Sequence, residues 1–224
     1  MPEEFDFNNL IKNWFSIKFL NIPPIKIKYY SIEDNYKLDE FCELYYEKFK
    51  RNPYFINKWY STESFYKFLM KELCAEPDIS DKIFLELGSG LGITPVFLKS
   101  YLKKIISIDY EYTSCLIGAA TSKLNNCEKV RHICADWSYP PFKTKFDIII
   151  ASDIIYEISS VNQVLKCIDE FLKINGILYI ANFKNYAFDE FRKRTEPKFK
   201  MLFCQKKTSH TQKIQIYKFV KKFN

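Results

Sequence analysis

The sequence predicts an α/β fold: a seven-stranded, mostly parallel sheet with helices on both faces and an antiparallel C-terminal hairpin. Three observations predict it. From Ile83 onward, short apolar strand-like runs alternate with helical segments, the pattern that builds a parallel sheet with right-handed crossovers. Three of the five glycines fall in one run, LELGSGLG, at Gly88, Gly90 and Gly92, whereas average usage would spread roughly 16 through a chain of this length. The last two strand-like runs, 199–204 and 213–220, are joined by the polar stretch 206–211 with no helix between them, so they must pair antiparallel.

In chain order, residues 1–37 are aromatic and read as irregular, except that Ile25, Ile27 and Tyr29 alternate with Lys26 and Lys28 after Pro23 and Pro24. That period of two suggests a strand. Phe41, Leu44, Tyr45 and Phe49 stand at helical spacing over 38–50, and Asn52-Pro53 ends that helix because the residue before proline avoids the helical region. A second helix over about 64–73 buries Phe65, Phe68, Leu69 and Leu73. Pro77-Asp78 marks a division between an N-terminal extension, residues 1–77, and a core, residues 78–224. The core elements are strand 83–87, helix 94–103 with Thr94 as N-cap and Pro95 behind it, strand 105–109 and helix 112–124. Strand 130–134, a loop, strand 146–151, helix 160–172, strand 177–182 and helix 187–194 follow, then the two closing strands.

At 224 residues and 47% hydrophobic the chain can bury a full core. No stretch of 18 apolar residues suggests a membrane span, and the acidic start lacks the basic, apolar pattern of a secretory signal. Seven cysteines without a Cys-x-x-Cys read as reduced thiols and not as a disulfide framework or zinc site, which points to the cytoplasm, with the nucleus as the other compartment. Two histidines, His132 and His210, are too few and too far apart for a metal pair, and His132 on an apolar strand reads as core. No metal is expected. Charge is uneven: 1–78 carry 11 basic and 13 acidic side chains, 79–183 carry 11 and 11, and 184–224 carry 12 and 3. The whole excess of +7 therefore sits in the last segment. It reads either as a solvated lysine-rich surface or as a weak contact for RNA or the ribosome.

A strand, a glycine turn and a helix start make a nucleotide cradle, because small residues let a ligand lie against backbone and the helix end offers free N–H groups. The dinucleotide fingerprint needs a third glycine where this chain has Ile93. Here Glu86 precedes the first glycine by two residues; its carboxylate would repel a pyrophosphate but can accept from an amino-acid ammonium. Asp109 ends the second strand, where an acid suits ribose hydroxyls. Gly88, Asp109, Asp136 and Asp153 all fall at the carboxyl ends of strands, where ligands sit in such sheets.

Glu86, Gly88, Gly90, Gly92 and Asp109 resemble motif I and the acid that follows it in the seven-β-strand, Rossmann-like S-adenosylmethionine-dependent methyltransferases. The resemblance implies S-adenosyl-L-methionine as cofactor. It implies that Asp136 contacts the adenine amino group and Trp137 covers the ring, although Trp137 also has a packing role in any case. Ser152, Asp153 and Tyr156, in FDIIIASDIIYE, lie in the loop that faces the transferred methyl in that fold. Asp-x-x-Tyr resembles the family 16 protein methyltransferases, which act mostly on lysines of non-histone proteins. Lys58-Trp59 before Ser61-Thr62, Asp136-Trp137, and the ending Ile214-Gln215-Ile216-Tyr217-Lys218 resemble the same family, over about residues 55–222. By this resemblance Trp59 and Ser152 join the cofactor-binding set. The Asn/Asp-Pro-Pro-Tyr/Phe loop of adenine and glutamine methyltransferases is missing. Tyr45, Tyr46 and Phe49 resemble a segment of the tRNA 3-methylcytidine enzymes.

The expected activity is methyl transfer to a protein side chain, foremost a lysine ε-amine. Lysine has a reference pKa of about 10.4, so freeing its lone pair at pH 7.4 costs roughly 4 kcal/mol. Asp153 can orient the ammonium and accept a proton, and Tyr156 can offer a ring face to the alkylammonium. A turn cap for Asp153 and plain packing for Tyr156 are the competing readings. A histidine acceptor, an RNA methyltransferase and an inactive methyltransferase-like binding module remain as alternatives, the last disfavoured by the intact acids.

Overall fold

The computed structural model describes residues 7–102, 104–209 and 211–222; His210 lies outside them. Seven strands form one sheet in the order β5-β4-β3-β6-β7-β9-β8. β3 (Phe84–Leu87), β4 (Ile105–Asp109), β5 (Val130–Cys134), β6 (Phe146–Ser152) and β7 (Leu172–Phe183) run parallel. β9 (Gln212–Lys221) pairs antiparallel with both β7 and β8 (Phe199–Ser209). The last strand in sequence is thus threaded between two earlier ones. The alternation of side chains along each strand divides the core in two. Phe84, Ile105, Ile150, Tyr179 and Ile216 pack on one face; Leu85, Leu87, Ile149, Leu178, Tyr217 and Phe219 pack on the other, with α6 (Val161–Phe171) and α7 (Tyr186–Thr195).

The N-terminal extension covers the first face and shares its core. α1 (Phe7–Trp14) leads into an antiparallel hairpin, β1 (Ser16–Ile22) and β2 (Ile25–Ser31), followed by α2 (Asn35–Phe49) and α3 (Thr62–Ala75). Residues 16–22 therefore form a strand where irregular chain is expected. Asn125 fastens the hairpin: its Oδ1 accepts from the Lys28 N–H at 3.0 Å and its Nδ2 donates to the Lys28 carbonyl at 2.6 Å. Lys218 Nζ, 2.7 Å from Glu72 Oε2, ties α3 to β9.

Four expectations need correction. The helix after the glycine turn, α4, spans only Ile93–Leu98 and is capped by Gly92 at φ 71°, so Thr94 lies inside it. Its hydroxyl instead meets Tyr66 Oη at 2.8 Å. β7 begins at Leu172, directly after α6, because residues 172–176 extend the strand below its apolar centre. β8 continues through Ser209, because cross-strand pairing with β9 holds residues that a polar composition assigns to a loop. His132 is half-buried and not fully in the core; it contacts Ser122 Oγ at 2.9 Å, and burial pushes its imidazole down to about 4. α5 (Tyr112–Leu124) lies beside it.

Candidate active site

The carboxyl ends of β3, β4 and β6 open into a cavity of about 440 Å³, within the range of small-molecule sites. Its floor is bare backbone at Gly88 and Gly90. Gly88 has φ 81°, and a Cβ there would come within 2.5 Å of Ile154 Cγ2. At Gly92, φ 71°, a Cβ would strike Gly118 Cα at 2.4 Å. Gly92 is therefore fixed by packing of the turn against α5 and does not line the cavity.

Asp109 lines the cavity and organises it. Its Oδ2 accepts from the Gly90 N–H at 3.0 Å and from Ser114 Oγ at 2.8 Å, and its Oδ1 accepts from the Glu111 N–H at 2.9 Å. Burial raises its carboxyl above the ordinary aspartate value, opposed by these donors. Glu86 lies deeper, outside the lining. The Ser107 hydroxyl donates to it, and burial pushes it up to about 8. Asp136 is exposed and turned onto its own loop, accepting from the Ser138 N–H at 2.7 Å; it does not line the cavity. Trp137 does line it, with its buried indole N–H unpartnered among the described residues.

On the β6 side, Ser152, Asp153 and Tyr156 line the cavity together with Trp59. Asp153 is 3% exposed, has φ 52°, and is pushed up to about 6 by burial. Both its oxygens are engaged: Oδ1 accepts from the Phe183 N–H at 2.9 Å and Oδ2 from the Ser61 hydroxyl. Ser152 Oγ also donates to Oδ2, at 3.4 Å; a carboxylate offers about four lone-pair sites, so one acceptor position remains. Ser61 Oγ also lies 3.0 Å from Ser152 Oγ. Tyr156 rests against Tyr54 with ring centroids 4.9 Å apart, and burial pushes its phenol up to about 12. Trp59 stacks on Phe183 at 6.1 Å and 12°.

Apart from Trp59, sequence reading missed the cavity residues that the extension contributes. Arg51 Nε is 3.2 Å from Glu111 Oε1, and the guanidinium lies over the Tyr110 ring at 4.7 Å. Tyr45 Oη donates to Glu111 Oε2 at 2.6 Å. Glu111, two residues beyond Asp109, is a second acid at the same rim and was visible as such; Arg51 and Tyr54 carried no local signal, and Ser61 stood only as part of the segment around Trp59.

Residues 54–205 match the family model described as lysine methyltransferase. The chain belongs to that family. Among curated relatives, a histidine protein methyltransferase 1 homolog of Dictyostelium discoideum is 28% identical over 123 residues, 50% of this chain and 38% of the relative. A malonyl-[acyl-carrier protein] O-methyltransferase of Bacillus cereus is 26% identical over 106 residues, 47% of this chain and 39% of the relative. The chain thus matches less than half the length of either relative. Among solved structures, the N-methyltransferase NodS of Bradyrhizobium japonicum WM9, in complex with S-adenosyl-L-homocysteine, superposes with a TM-score of 0.60 at 13% identity, covering 75% of this chain and 94% of that one. The likeness in structure is one of fold.

The residues of this cavity fit S-adenosyl-L-methionine, the cofactor that the family match implies. The glycine floor leaves backbone uncovered where a side chain would intrude, and Asp109 and Glu111 stand at the adjoining rim. When bound, the cofactor supplies a methyl on a sulfonium as electrophile. Gly88, Gly90, Asp109 and Glu111 would hold it, and Asp153, Tyr156, Tyr54 and Trp59 line the same cavity. Among the described residues no helix is long and apolar enough to cross a membrane.

Proposed function

We propose that the protein transfers the methyl group to a protein side chain, foremost the ε-amine of a lysine in a non-histone protein. The observation that carries this reading is the wall opposite the glycine floor: a buried carboxylate, Asp153, beside the paired rings of Tyr54 and Tyr156. A negative charge and aromatic faces suit a cationic alkylammonium. In this reading Asp153 uses its remaining acceptor position to orient the ammonium and draw off its proton, and Tyr156 lines the path of the alkyl chain. Asp153 ionises near 6, so it is charged at neutral pH. In-line methyl displacement needs positioning above all, and the two walls of one cavity supply it. Glu86 and Gly92 act from behind the floor, and Asp136 sits beside the Trp137 rim as the proposed adenine contact. The extension, residues 1–77, closes the cavity as a lid.

A histidine acceptor is the second reading, favoured by the name of the Dictyostelium relative. Imidazole avoids the deprotonation cost that lysine carries. We infer a cytoplasmic location, with the nucleus second, since the cysteine usage suits a reducing compartment. Incubating lysate with the pure enzyme and labelled S-adenosyl-L-methionine, then treating aliquots with RNase or protease, tests the class of acceptor. Label lost to protease, and recovered as methyl-lysine after hydrolysis, is expected. Methyl-histidine would move the second reading to first place; label lost to RNase would overturn both.

A further inference from the structure

A second cavity, of about 270 Å³, lies on the face formed by β8, β9 and α7. Lys184, Arg192 and Lys206 line it, with Asp189 as the single acid, so it carries a net excess of positive charge. Its buried floor is Gln215 and Tyr217, 4% and 2% exposed. Tyr217 Oη donates to Gln215 Oε1 at 3.0 Å, so the two floor side chains are tied to each other. Arg192 is partly engaged by Glu196 at 3.0 Å. Neither Lys184 nor Lys206 has an ion-pair partner among the described residues.

The cavity adjoins the active site through one residue. Lys184 follows Phe183, whose N–H holds Asp153 and whose ring stacks on Trp59. The remaining cations of this basic end do not form a track for a polyanion. Lys218 is tied to Glu72 at 2.7 Å, Lys221 to Asp169 at 3.0 Å and Lys193 to Glu190 at 2.6 Å, while Lys198 also pairs with Asp169. By strand alternation Lys200 and Lys207 lie on the opposite face of β8 from Lys206. Lys184, Arg192 and Lys206 thus meet at one small polar pocket, which suits a single oxyanion group more than a nucleic-acid backbone.

We propose that this cavity binds an acidic side chain of the protein acceptor, docking the substrate beside the methyl-transfer site; the proposal rests on the protein-methylation reading above. Its test is direct binding of fluorescein-labelled hexaglutamate to the full chain by fluorescence anisotropy, with hexaglutamine as the uncharged comparison. Saturable hexaglutamate binding that hexaglutamine lacks is expected. The double variant Lys184→Glu/Lys206→Glu is expected to weaken it at least ~10-fold, and Lys200→Glu/Lys207→Glu, with the same charge change on the other face, less than ~2-fold. Calorimetric affinity for S-adenosyl-L-homocysteine should be the same in all three proteins, which separates a lost docking site from a damaged fold. Equal weakening in both double variants, or none in either, would overturn the proposal. So would tighter binding of a hexamer of uridylate through Lys184 and Lys206. A failure of protein methylation itself would show in the labelled-lysate experiment and not in this one.

Discussion

The two walls of the active site are built in different ways. On the cofactor side, Asp109 is held by Gly90, Glu111 and Ser114, which lie 19, 2 and 5 residues away in sequence. On the proposed acceptor side, Asp153 is held by its neighbour Ser152 and by Ser61 and Phe183, which lie 92 and 30 residues away. Tyr156 likewise leans on Tyr54 and Phe183 on Trp59. The Asp109 carboxylate is set by local turns of the core, whereas the Asp153 side takes Ser61, Tyr54 and Trp59 from the N-terminal extension. Cofactor binding and acceptor chemistry should therefore respond separately to mutation.

The largest expected effect is on the acceptor wall. Asp153→Asn keeps size and the Phe183 bond but removes the charge, and turnover should fall at least ~100-fold, about 2.7 kcal/mol, with cofactor affinity changed less than ~3-fold. Full turnover in a stable Asp153→Asn protein would end the ammonium-orienting role; lost stability with near-normal turnover would make Asp153 a turn cap. Asp109→Ala should do the reverse. Hydrogen bonds to a charged group contribute about 1.5–3 kcal/mol, so S-adenosyl-L-methionine should bind roughly 10- to 150-fold more weakly. Unchanged calorimetric affinity in a folded mutant would remove Asp109 from the cofactor wall.

Ser61→Ala sharpens the comparison by cutting the link between extension and core. Its hydroxyl lowers the Asp153 carboxyl against the upward push of burial. Without it the acid limb of the turnover profile should move to higher pH from near 6, with cofactor affinity unaffected. An unmoved limb would mean that Ser61 only packs.

The smallest effect concerns Glu86 and appears in stability. Its folded pKa, about 8, is raised above the unfolded value of about 4.3. The favourable contribution is full below the unfolded value and is lost as pH rises through about 8. Glu86→Gln should thus gain stability on the native protein between those limits and hold a constant advantage above them. Melting temperatures that stay parallel across that range would contradict the shift.

The contrast between the walls also explains what the sequence made legible. The glycine run, Asp109 and the alternation of strands and helices are contiguous patterns, so the fold and the glycine floor of the cavity were readable. Ser61, Tyr54 and Arg51 owe their roles to partners far along the chain, and no spacing encodes that. β1 stayed hidden because Ile17 and Phe19, on its outer face, are 44% and 51% exposed; apolar residues on both faces erase the period of two. Thr94 has the chemistry of a cap, but the positive φ of Gly92 had already turned the chain into the helix.

The position of β9 has a consequence for synthesis. A ribosome delivers β7 and β8 before it delivers residues 212–221, yet those two strands do not touch without them. Until that strand emerges, β7 presents an open apolar edge, the kind of surface that pairs with foreign chains. The same β7 carries Phe183, the donor to Asp153, and Phe183 is itself paired with Ile214 of the late strand. The strand that carries the donor to Asp153 is thus braced on its far side only once residues 212–221 have emerged, well after the glycine floor has been synthesised.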